Sequence, residues 1–220
     1  MVYKSCRNLV SCLNVLLAGA AIMGMAAAAE VEIPQMRGGR FKPLAAAEMQ
    51  PDQKALAETI VTGPRKSIEG PFNIMLRSPE LGDLLQKTGL YLRFNSPLSP
   101  KVKEIAILMV CYSLKNQFEF FAHSNVAVKV GLSPDIPAAI AEGKRPAKLE
   151  PDEAVAYTFM HELLDTKKVS DSDYKSAVSS FSERGVVDLV SIVGYYTTAS
   201  LLENVDNYPL PEGAKAVSFR

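Results

Sequence analysis

The chain has 220 residues, of which 48% are hydrophobic and 22% charged, and its 24 basic side chains are matched by 24 acidic ones. A neutral balance of this kind gives no electrostatic reason to expect nucleic acid or an anionic membrane surface as a partner. The three cysteines are too few for a disulfide-stapled scaffold.

Residues 1–29 read as an export signal. Lys4 and Arg7 form a basic start, Val15 to Met25 an apolar run, and Ala26 to Ala29 a small-residue cleavage site before Glu30. The run is shorter than the ~20 apolar residues a bilayer span takes. An exported protein, periplasmic or secreted, is therefore expected, with no membrane attachment after cleavage. Cleavage would remove Cys6 and Cys12 and leave Cys111 with no disulfide partner in the chain. The remaining ~190 residues suit one domain with a sizeable core.

Residues 30–50, rich in Gly, Pro and Ala, predict an extended N-terminal arm. From Pro51 to the end (51–220) the pattern is helical, with no alternating strand. Pro51 to Val61 is a short helix stopped by Thr62-Gly63-Pro64. Ser78-Pro79-Glu80 opens another with a hydroxyl cap and a first-turn proline, carrying Leu81, Leu84, Leu85 and Leu92 and fading near Asn95. Ser99-Pro100 opens a helix to about Ser113, and Asn116 to Val130 forms the next, closed by Gly131. Ser133-Pro134-Asp135 starts a short helix ending near Gly143. Pro151 to Thr166 carries Val155, Phe159 and Leu163 on one stripe. Ser170 to Glu183 follows, and Gly185 precedes a last helix to about Asn204, with Leu189, Val190, Val193 and Leu201 expected inward. Six to eight helices on short connections predict an all-α bundle.

The chemistry concentrates in Glu104 to His123. Glu104 and His123 are 19 residues apart and would lie ~28 Å apart on one straight helix. Asn116 is a poor interior residue and a good N-cap, so a reversal near Lys115 would fold the stretch into a hairpin that brings them together. Glu119 and His123, four apart, share a face with Asn116.

The same spacing resembles the carboxymuconolactone decarboxylase family, which includes the alkyl hydroperoxidase D group. Its peroxidase branch has Glu, eleven residues, then Cys-x-x-Cys-x-x-x-His. Glu104 and His123 match the Glu and His, while Asn116 and Glu119 stand at the cysteine positions. The similarity runs from about Gly63 to Gly213 through GPR (Gly63–Arg65), GPF (Gly70–Phe72), SPELG (Ser78–Gly82), YLRF (Tyr91–Phe94) and GYY (Gly194–Tyr196). It implies the family's helical fold, a homo-oligomer (trimer or hexamer) and a branch without thiol redox chemistry. The lactone decarboxylase branch implies a cofactor-free carboxy-lyase acting on a small cyclic carboxylate or lactone. His123, Glu119 and Glu104 would be its catalytic set, and Arg93, Asn116, Phe120, Tyr195 and Tyr196 would bind the small-molecule substrate. No cofactor is expected, and no metal set shows in the spacing.

Each of these residues also has a structural reading. Glu119 and Asn116 have the spacing of a capping box. Glu104 would favour the dipole of its helix start. His123 would serve as a core imidazole, Arg93 as half of a salt bridge, and Tyr195, Tyr196 and Asn204 as core or pocket wall. His161 reads as a surface group and Cys111 as a buried small hydrophobe. Two other functions stay open at this point: a binding protein that has lost catalysis, and a peroxidase working through Cys111 alone.

Overall fold

Proline sets the starts of four helices in the computed structural model, which describes residues 31–220, so the export-signal expectation lies outside the described residues. Helix α1 (Pro51–Thr62) begins with Pro51 behind a reciprocal capping box between Gln50 and Gln53. A single turn, α2 (Phe72–Met75), precedes α3 (Pro79–Leu90). Ser78 makes no side-chain cap there, contrary to the expectation, and Pro79 alone marks the start. The chain then widens into a π-helical turn (Tyr91–Asn95). Helix α4 (Pro100–Ser113) combines Pro100 with a true cap, the Val102 N–H donating to Ser99 Oγ at 3.3 Å. Helices α5 (Gln117–Lys129), α6 (Asp135–Ala141), α7 (Pro151–Thr166) and α8 (Asp171–Asp206) complete the bundle, with no strand among the described residues.

Helix α4 is the axis of the fold. Every residue from Val102 to Cys111 is buried, because α5, α7 and α8 pack around it. Its part from Ile105 to Cys111 is apolar all round, the pattern of a helix wrapped on every side. A second, smaller core joins Leu56 and Ile60 of α1 to Phe72, Met75 and Leu76. Met36 from residues 31–50 inserts into it. That segment is tied down at Asp206, whose carboxylate accepts from the N–H groups of Gly39 (3.1 Å) and Phe41 (2.6 Å).

Helix α8 is the second wall of the site. Its buried stripe is Leu189, Ile192, Tyr196, Ala199 and Glu203, at helical spacing. Val190 and Leu201, expected inward, lie off this stripe and are each 47% exposed; Leu81 and Leu84 of α3 are exposed as well. The break expected before Gly185 falls at Ser182, where φ is 64° and ψ is 169°. Gly185 already belongs to the following segment. A Cβ there would lie 2.5 Å from the Phe181 Cβ, so glycine is required by the close approach at the kink, not by its own backbone angles.

A serine with these angles occupies a region that glycine alone adopts freely, at a cost on the order of 1–3 kcal/mol. Ser182→Gly is expected to raise stability by about 1 kcal/mol in urea denaturation, although glycine in a regular helix interior would lower it.

Candidate active site

The hairpin between α4 and α5 makes the site. The chain reverses at Leu114 to Asn116, with Lys115 in the left-handed region (φ 53°). The Asn116 N–H donates to the Cys111 carbonyl at 2.9 Å, and the Asn116 Oδ1 accepts the Glu119 N–H at 2.7 Å. Only this half of a capping box forms, because the Glu119 side chain turns toward His123. Glu104 lies beyond the first turn of α4, which contains no acidic residue, so it is not a dipole-favouring cap. Its Oε2 is 2.6 Å from His123 Nδ1, while His123 Nε2 is 3.3 Å from Glu119 Oε2.

All three side chains are nearly sealed from water. Burial pulls the His123 pKa down, but the charge and hydrogen bonds of Glu104 and Glu119 outweigh it and carry the pKa up from 6.5 to about 9. Burial alone would raise Glu119; the hydrogen bond and charge of His123 reverse the direction and hold it below the usual carboxylate range. The imidazole is therefore a cation at neutral pH, held between two acids. Tyr196 stands edge-on to its ring, centroids 5.0 Å apart, and Tyr195 stands edge-on to Tyr196 at the same distance.

Glu119 and His123 form part of the wall of a cavity of about 460 Å³, together with Tyr195, Tyr196, Arg93 and Arg65. Glu104 is not in that wall. The Nδ1 edge of the imidazole thus faces the core, and the Nε2 edge is the one beside the cavity. The π-turn presents Arg93, whose carbonyl accepts from Lys103 Nζ at 2.8 Å. An extra residue in a helical turn re-aims a side chain in this way. Neither Arg93 nor Arg65 forms an ion pair among the described residues. Arg65 lies over the Phe72 ring, 5.0 Å from its centroid, and its Nε is buried without a hydrogen-bond partner. Two arginines without carboxylates suit an anionic ligand.

Two expected substrate contacts, Phe120 and Asn116, lie elsewhere. Phe120 points into the main core against Phe219, with centroids 5.1 Å apart; Phe118, on the other side of α5, lines the cavity, as does Phe72. Asn116 and Asn204 hydrogen-bond each other at 3.0 Å behind the site, Asn116 also donating to the Ser200 carbonyl. His161 is exposed and stacks on Tyr157 beside a separate cavity of about 250 Å³. Cys111 is fully buried, and burial, followed by the charges of Glu119, Glu203 and Glu104, pushes its thiol well above the ordinary range. Arg65, Gly89 and Glu203 carried no role in the sequence reading. Arg65 comes from a loop whose position no periodicity reports. Gly89 leaves room for Tyr195, since a Cβ there would sit 2.2 Å from the tyrosine Cζ. Glu203 had a visible signal, an acid within the apolar stripe of α8.

No family model matches the chain, and no curated protein is similar to it. Among solved structures it is similar to an alkylhydroperoxidase AhpD core, an uncharacterized peroxidase-related protein from Ralstonia eutropha JMP134. The TM-score is 0.65 and the identity 11%, over 79% of this chain and 93% of the other. The chain thus has an all-α, AhpD-like fold.

The raised His123 pKa links the site to stability. A folded-state pKa above the unfolded one stabilises fully below about pH 6.5, and that contribution is lost as pH rises through about 9. The loss is expected to be on the order of 3 kcal/mol. Glu104→Gln should bring the His123 titration, followed by NMR, down toward 6.5 and flatten the stability profile in the same pH window.

Proposed function

We propose that the protein is a cofactor-free acid–base lyase, a decarboxylase of small cyclic carboxylates or lactones. The observation that carries this reading is the His123 imidazolium, fixed through Nδ1 by Glu104 and edging, through Nε2, a cavity that also holds two unpaired arginines. The substrate carboxylate would bind Arg93 and Arg65. Loss of carbon dioxide breaks the ring-carbon to carboxyl bond and leaves its electron pair delocalised over the lactone. His123 Nε2–H then protonates that carbon. The contact to Glu119 at 3.3 Å is longer than the about 2.7–2.9 Å of a strong charge-assisted bond, so this proton is the more readily given. The imidazolium also opposes the developing negative charge throughout.

A thiol route finds less support. Cys111 has no access to the cavity and its proton is held tightly, so it offers little thiolate to attack peroxide. The reading also carries the exported location and a homo-oligomer, a trimer or hexamer. Leu81, Leu84, Val187 and Val190, exposed on α3 and α8, support the assembly, and sedimentation as a monomer would remove it.

The test is a screen of the purified protein against lactones and ring carboxylates, read by mass. A loss equal to carbon dioxide is the expected product. His123→Ala should lower kcat by about 10²–10⁴. Arg93→Ala and Arg65→Ala should each raise KM by roughly tenfold or more. Cys111→Ser should leave the rate unchanged. Activity should fall as pH passes about 9, where His123 loses the proton it donates.

A further inference from the structure

Glu203 is a buried acid that the mechanism above does not use. It is 1% exposed, and neither carboxyl oxygen accepts a hydrogen bond from any donor among the described residues. Both amide hydrogens of Asn116, the adjacent neutral donor, are given to Ser200 and Asn204. The carboxyl instead faces another acid. A Cβ placed on Gly70 would lie 3.1 Å from Glu203 Oε1 and 3.7 Å from Glu119 Oε1, so the two carboxyls converge over one glycine. Two acids meeting in a dry interior share a proton, because both cannot ionise there.

The position of Glu203 gives this proton a use. Glu119 belongs to the wall of the substrate cavity, whereas Glu203 borders a second cavity, of about 420 Å³, with Asn116, Phe118 and Tyr208. Phe118 lines both spaces. The groups that face Glu203 are Glu119 from α5, Cys111 from α4, and Asp206 from its own helix. The Tyr208 hydroxyl is committed to Glu69 and to the Gly70 N–H, at 3.0 Å each. None of these groups is a cation. Burial first, then the Glu119 charge and the hydrogen bond with it, push the Glu203 pKa well above the usual range, against a smaller opposing pull from Asn116.

We propose that Glu203 is a neutral carboxylic acid that passes its proton through Glu119 to His123, recharging the donor from the second cavity while substrate fills the first. This deepens the lyase reading and rests on His123 as its donor. After His123 Nε2 gives its proton to carbon, the Glu203 O–H breaks as a Glu119 O–H forms. Glu119 then returns that proton to Nε2, and Glu203 takes one from water in the second cavity, the hydroxide left behind passing to bulk water and combining with the released carbon dioxide as bicarbonate. Each of these transfers moves one proton between heteroatoms and needs no co-reactant but water. Glu203 acts through Glu119 and is a positioning residue.

The test uses the full chain without substrate. At pH 7 the infrared spectrum of the unmodified protein should contain a protonated-carboxyl C=O band that disappears in Glu203→Gln. In the same variant, NMR of ¹⁵N-histidine protein should show exchange of the His123 ring N–H with water slowed by at least about tenfold. A purely structural role would move the thermal midpoint and leave that exchange rate alone. If Glu203→Gln does not fold, Glu203→Asp keeps the acid one methylene short, and should retain a carboxyl band yet slow the exchange. Absence of the band in the unmodified protein overturns the proposal, as does loss of the band with exchange unchanged. Neither readout involves turnover, so an inactive protein would defeat the lyase reading while leaving the relay to be judged on its own.

Discussion

The buried contact between the Glu104 carboxylate and the His123 imidazolium is what the rest of the site depends on. Charges out of water are costly, and such a group persists only when each is paired in good geometry. Here the pairing is made across a helix hairpin, from the second turn of α4 to the second turn of α5, and its 2.6 Å length leaves little slack. Everything that fixes the hairpin therefore fixes the charge: the wrapping of α4 by α5, α7 and α8, the left-handed turn at Lys115, and the hydrogen bonds of Asn116 to Cys111 and Glu119. Fold stability and proton chemistry are coupled at this one contact.

The electrostatics of the cavity are arranged by depth. Glu104 and Glu119 bracket the imidazole, Glu104 behind the cavity and Glu119 in its wall, which Arg65, Arg93 and Lys129 share with Glu69. The acids keep the proton on His123. The guanidinium groups would offset the repulsion those acids exert on an anionic ligand. Arg93 reaches this place only because a π-turn extends α3 by one aberrant turn. That turn is itself anchored to α8 through Asp188, which accepts from Ser96 at 2.6 Å and from Tyr91 at 3.3 Å. Tyr195 in turn needs the absent side chain at Gly89. The wall thus joins Tyr195 and Tyr196 of α8, Arg93 of the π-turn, the segment from Arg65 to Phe72, and the face of α5 that carries Glu119 and His123.

Much of this was legible in the sequence where the cause is local. Prolines at Pro51, Pro79, Pro100 and Pro151 mark helix starts because the ring suits the first turn whatever lies around it. Asn116 announced the reversal because a capping side chain competes with helix continuation at that position. The hairpin then followed from distance alone, which is how Glu104 and His123 could be paired across 19 residues. What escaped depends on neighbours. Phe118 and Phe120 flank the Glu119–His123 stripe, and only the packing of α5 on the rest of the bundle decides that Phe118 meets the cavity and Phe120 the core. Val190 and Leu201 are as apolar as Leu189, yet α8 has more apolar positions than its one buried face can hold. Gly185 looked like a helix break and instead accommodates Phe181, while the break falls on Ser182, which carries no turn signal.

Asn116 at the reversal and Glu119 in the first turn of α5 decide what the hairpin can do. A thiol at position 119 would titrate, alternating between a neutral and an anionic neighbour for His123. Glu119, held below the usual carboxylate range by His123, rests as an anion and keeps the imidazole protonated, so the site is poised as an acid. The same fixed charge suppresses the one thiol that remains, since Cys111 faces Glu119, Glu104 and Glu203 and would have to ionise against them in a dry interior. Proton donation and thiolate attack place opposite demands on the field in this hairpin. The carboxylates that make His123 a stable cation are the groups that keep Cys111 inert.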